Sequence, residues 1–128
     1  VTNKIQYWDD GSTRDITATK SRDDQLIDEY VCKYGKTTYY TCGYIGSKNF
    51  NPQTQQNNVD TFIRVKNTAG WDVLAGSGDS GGPWFLSNTA YGTMKGALVP
   101  GTNGVGADAV YMAVDYVSGL GVSVMTSP

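Results

Sequence analysis

Residues 78–84 read Gly-Asp-Ser-Gly-Gly-Pro-Trp, and this short run is where the chain carries bond-breaking chemistry. Ser80 stands between an acid, Asp79, and two glycines. Flanking glycines let a backbone adopt conformations that side chains forbid, so a ligand can come close to the main chain. In such a turn the amides of Gly78 and Ser80 can point at one spot. An oxyanion hole needs this arrangement, with donors about 3 Å from the developing negative oxygen. The Ser80 hydroxyl beside them is the candidate nucleophile. A serine hydroxyl is a poor nucleophile until a base takes its proton, and the 128 residues contain no histidine. Any acyl-transfer chemistry must therefore take its base from elsewhere.

The elements that would position this turn follow from composition and pattern. A chain of this length forms one domain with a core of its own. Sixteen glycines and nine tyrosines, with many threonines and valines, favour strands and tight turns over helices. Only 17% of residues are charged and the net charge is −2, with no basic stripe, so nucleic acid is not an expected partner. No apolar run approaches the roughly 20 residues of a membrane span. No signal-peptide pattern opens the chain, so an exported form is expected to have lost its targeting segment already. Cys32 and Cys42, nine residues apart in between, suit a disulfide across a hairpin and hence an oxidising compartment. Two thiols without histidine make a poor zinc site, and neither metal nor cofactor is expected.

Along the chain, residues 1–13 read as a connector docking through Tyr7 and Trp8. Arg14–Ser21 alternates as a first strand. Glu29–Tyr34 and Tyr39–Ile45 predict a hairpin joined through Gly35-Lys36. Residues 47–58 are polar and predict an exposed loop, and Val59–Val65 predicts a strand. Pro83–Leu86 and Tyr91–Val99 predict a hairpin around Ser87-Asn88. Residues 100–106 form a glycine-rich loop, Ala109–Val114 a last strand, and 115–124 a short C-terminal helix. Short strands at this spacing predict an all-β antiparallel barrel or sandwich.

Residues 78–84 resemble the nucleophile motif of chymotrypsin-like serine proteases. Cys32, Lys33, Gly35, Thr37, Thr38, Cys42 and Gly43 are similar in order to the disulfide loop of the bacterial streptogrisin and α-lytic protease branch. Asp15-Ile16-Thr17, the VYMAV run at 110–114 and LGVSV at 120–124 extend the likeness over residues 14–128. The resemblance implies a six-stranded antiparallel β-barrel, the C-terminal half of a two-barrel fold, with residues 1–13 as the crossover. The catalytic histidine and aspartate of this family lie on an N-terminal barrel that the 128 residues do not contain.

The same resemblance implies the site residues. Ser80 is the nucleophile, and the Gly78 and Ser80 amides form the oxyanion hole. Lys33 takes the place of a cation that pairs with a buried Asp79; the alternative leaves Lys33 solvated on a strand edge. Leu74 lies at the base of the specificity pocket, Lys95, Gly96 and Ala97 on one wall, Ala109 and Tyr111 on another. The base is not acidic, so an apolar or modest aliphatic substrate side chain fits better than Arg or Lys. Lys95 replaces a small serine and Ala97 a glycine, both departures from the pattern. Trp84 and Phe85 are read as core or barrel-to-barrel contacts. Two functions follow. One is half of a secreted endopeptidase acting on polypeptides; the other is a silent homologue serving as a binding module. In either case an exposed barrel face is expected to meet a separate N-terminal barrel or a second copy of the chain.

Overall fold

The computed structural model describes residues 3–8, 10–53, 58–67, 74–76, 79–98, 105–106, 108–120 and 126. Among the described residues eleven strands run in chain order: β1 (Lys4–Gln6), β2 (Thr13–Asp15), β3 (Ala18–Thr19), β4 (Tyr30–Gly35), β5 (Tyr39–Phe50), β6 (Phe62–Lys66), β7 (Ala75–Gly76), β8 (Pro83–Leu86), β9 (Thr89–Leu98), β10 (Val105–Gly106) and β11 (Asp108–Ala113). Six of them close into an antiparallel barrel in the order β11-β6-β5-β4-β8-β9, and β11 then pairs with β9 to complete the ring. Closure removes free sheet edges, which would otherwise template aggregation.

Alternation along the strands builds the interior. Val31, Ile45, Ile63, Val65, Trp84, Ala109 and Tyr111 point inward and share one buried cluster. Trp84 stacks on Tyr111 with ring centroids 5.2 Å apart, and its indole N–H donates to the Met94 sulfur at 3.0 Å. Phe85, the next residue of β8, faces the other way into a second cluster with Ile16, Cys32 and Cys42. Both aromatics are therefore core. Cys32 and Cys42 lie opposite each other on β4 and β5 and are joined as a disulfide.

Four sequence expectations change. The single strand at 14–21 is two strands, because Ile16 and Thr17 turn their amides to Asn3 and Asn88. As a result β2 pairs with β1 and β3 runs parallel to β9. The polar stretch from Ser47 to Phe50 is not loop; it continues β5 through two register shifts against β6. The glycine-rich segment 100–106 carries β10, which pairs with β7 shortly before Asp79 and Ser80 in the chain. The C-terminal helix is a 3₁₀ helix, Val114–Leu120, and residues 121–124 lie outside the described residues. Repeated i→i+3 closure suits a short end piece bearing glycine.

Candidate active site

The hairpin β4–β5 and the turn before β8 meet at a buried ion pair. Lys33 and Asp79 side chains are both fully shielded from solvent, with Nζ and Oδ2 3.7 Å apart. Leaving either charge alone there would be expensive, so each is surrounded by partners. Lys33 donates to the Thr38 hydroxyl at 2.6 Å and the Tyr39 carbonyl at 2.9 Å. The Asp79 Oδ1 accepts from the amides of Thr37 (2.8 Å) and Thr38 (3.1 Å). Its Oδ2 accepts from the amide of Gly76 at 2.9 Å and from the Thr38 hydroxyl. Thr38 thus bridges acid and base with one oxygen, a role the sequence reading did not assign. The Thr37-Thr38 pair was part of the resemblance, and a hydroxyl three residues beyond Gly35 was the available signal.

Glycine at 35 is a steric requirement of this pair. A Cβ there would stand 2.6 Å from the Asp79 carboxyl carbon. Burial raises the Asp79 carboxyl, but the Thr38 hydroxyl and the amides of Gly76, Thr37 and Thr38 together hold it below the ordinary carboxylate value. Burial also pulls Lys33 down to about 8, against the upward pull of Asp79. The sign of the pH effect follows. Below about 8 the folded and unfolded chains both hold the Lys33 proton; between about 8 and the ordinary lysine value of 10.5 only the unfolded chain does. This group therefore adds stability as pH rises through that window. The chain has no histidine, and both cysteines are in the disulfide. NMR of the lysine side chains should accordingly find the Lys33 ammonium losing its proton near pH 8, with the fold intact. Retention of that proton above pH 10 would contradict the burial argument.

Ser80 follows Asp79 directly and is exposed. Its hydroxyl donates to the Lys95 carbonyl at 3.2 Å. That carbonyl is free for it because Lys95 is the extra residue of a β-bulge: Tyr111 pairs with Met94 and Val110 with Gly96, skipping Lys95. Bulges of this kind redirect a strand beside a site. The turn itself is pinned to β9 by Gly81 N–H to Met94 O (2.9 Å) and Met94 N–H to Gly82 O (2.8 Å). Gly78, the other expected oxyanion donor, lies outside the described residues.

Of the expected pocket residues, Leu74, Ala109 and Tyr111 are fully buried and Ala97 packs against the same cluster. Leu74 is held by its carbonyl, which accepts the Thr41 hydroxyl at 2.6 Å. Tyr111 donates its hydroxyl to the Gln25 amide oxygen at 2.5 Å, so it is a core residue beneath the site. Lys95 and Gly96 lie at the rim, half-buried. Beside Ser80 an open cleft of about 540 Å³ extends over Gly35 and Lys36 to Tyr34, Tyr39 and Gln6. Local sequence could not reveal it, because its two walls come from β1 and from the β4–β5 turn. Among the described residues no group of three or more His, Cys, Asp or Glu is placed to hold a metal.

No family model matches the chain. Serine protease 1 of Rarobacter faecitabidus is 26% identical over 100 residues, which is 78% of this chain and 17% of that protein. A solved glutamic-acid-specific serine protease superposes with a TM-score of 0.75 at 25% identity, over 98% of this chain and 61% of that one. Thermobifida fusca protease A superposes with a TM-score of 0.74 at 25% identity, over 99% and 62%. The chain thus spans under two thirds of these structures and a smaller share of the curated relative. Sequence and fold agree: the chain is related to the bacterial chymotrypsin-like serine proteases and has the fold of their C-terminal barrel.

Proposed function

We propose that the chain is the nucleophile-bearing barrel of a secreted serine endopeptidase, with the base and acid of the triad supplied from outside these 128 residues. The observation that carries this reading is the exposed Ser80 hydroxyl set directly after a fully buried, multiply bonded Asp79. A turn held so firmly keeps its geometry while a substrate arrives. In the reaction, Ser80 Oγ bonds to the scissile carbonyl carbon as its proton passes to a histidine on the missing barrel. The amides of Gly78 and Ser80 hold the oxyanion. The C–N bond then breaks, the histidine returns its proton to the departing amine, and water releases the acyl group by the same route. The disulfide supports an extracellular setting.

The glutamic-acid-specific relative uses a histidine triad in substrate binding. This chain has no histidine, so it lacks that means of holding an acidic side chain. Leu74 and Ala109 are fully buried in the core, so neither offers the aliphatic pocket wall that the resemblance implies. Lys95, bulged out beside Ser80, favours a second reading in which the barrel binds polypeptide without cutting it. Purification of the native protein separates the two. The protease reading expects a histidine-bearing polypeptide to accompany Ser80, peptide hydrolysis by the assembly, and a loss of about 10⁴ to 10⁶ in kcat on Ser80→Ala. Hydrolysis that survives Ser80→Ala would overturn it, and a histidine-bearing assembly that cuts nothing would favour the silent homologue.

A further inference from the structure

The cleft between Ser80 and Tyr39 is built from parts whose charges do not cancel. Asp79 lies at its floor, but both carboxylate oxygens are engaged by Lys33, Thr38 and the amides of Thr37 and Gly76. Lys36 is exposed at its wall, and among the described residues no carboxylate pairs with it. The wall is held in shape. Tyr39 sits at φ 59°, a left-handed conformation that aromatic residues seldom adopt, and is half exposed. Its carbonyl is taken by buried Lys33, so the ion pair that braces the nucleophile turn also presents this ring. Tyr34 stands beside it with ring centroids 6.2 Å apart, its hydroxyl accepting from Gln6 at 3.1 Å. Glycine at 82 keeps the floor flat, since a Cβ there would come within 2.6 Å of the Tyr34 carbonyl.

We infer that this cleft seats a segment of polypeptide beside Ser80, and that Lys36 selects an acidic side chain there while Tyr34 and Tyr39 receive an apolar or aromatic neighbour. That this segment belongs to a substrate rests on the protease reading, but the test is one of binding and needs no turnover.

The peptides Gly-Asp-Tyr-amide and Gly-Asn-Tyr-amide differ by one charge and are titrated into the native protein with backbone amide shifts as the readout. The Asp peptide is expected to bind about three to five times more tightly at low salt, as an exposed ion pair allows. That ratio should shrink toward one in about 0.5 M salt. Shifts should concentrate at Gly35, Lys36 and Gly82. Lys36→Glu should reverse the order, favouring Gly-Lys-Tyr-amide over Gly-Asp-Tyr-amide. Equal binding of the first two peptides, no binding, shifts centred elsewhere, or a preference that survives Lys36→Glu would each overturn the inference. Labelling of Ser80 by a fluorophosphonate is a separate readout. Labelling without the peptide preference would keep the protease and remove this cleft; the preference without labelling would do the reverse.

Discussion

Replacing Asp79 with alanine is expected to cost about 3–5 kcal/mol of folding stability at pH 6, the range for breaking a buried charge pair. The change strands the Lys33 ammonium, the Thr38 hydroxyl and the amides of Gly76, Thr37 and Thr38 in a site closed to water. Lys33→Met should cost less, because the Asp79 carboxylate keeps all four of its other donors. The loss in Asp79→Ala should also be smaller at pH 9 than at pH 6. Without its acid, Lys33 escapes by giving up a proton, which burial already favours. Urea melts of both variants at both pH values measure this directly. Equal losses in the two variants would mean that charge attraction alone holds the turn, and that the hydrogen-bond network contributes nothing beyond it.

Gly92→Ala should be destabilising by about 3 kcal/mol, at the upper end for overpacking a core. Gly92 lies on β9 opposite Ala113 of β11, at the seam that closes the barrel. A Cβ there would run into the Met112 carbonyl and stand 2.5 Å from the Tyr111 ring. Neither can give way easily: one is backbone in a paired strand, the other is stacked on Trp84 and bonded to Gln25. Gly96→Ala, four residues along the same strand, meets nothing within 4 Å and should change stability by no more than about 0.5 kcal/mol. Thermal melts of the two single variants make the comparison. A tolerated Gly92→Ala would mean that β9 and β11 do not close the barrel in the register described.

The turn carrying Asp79 and Ser80 was legible in the sequence because its residues are local. Acid, serine and paired glycines are neighbours in the chain, and nothing distant is needed to read them. The Cys32–Cys42 hairpin was legible for the same reason, as was the two-residue turn at Ser87-Asn88. Features that depend on distant partners were hidden. The break between β2 and β3 arises because Asn3 and Asn88 each claim an amide from one short stretch. Ser47–Phe50 looks like loop by composition, yet β6 supplies a ladder for it. The bulge that frees the Lys95 carbonyl exists only because β11 pairs with β9, a contact that local alternation cannot specify. Lys33 could be matched to Asp79 only by resemblance. That Thr38 joins them is a consequence of three-dimensional packing.

The proposed protease requires Ser80 to be a working nucleophile whose base lies on a different segment of polypeptide. Intact-mass measurement of the native protein before and after a serine-directed fluorophosphonate tests it most directly. One adduct per chain, located on Ser80, is expected only when a histidine-bearing barrel is present, and none on the 128 residues alone. An equally rapid adduct on the isolated chain would place the base within it, and no adduct in the complete assembly would make Ser80 inert. Either result would contradict that requirement.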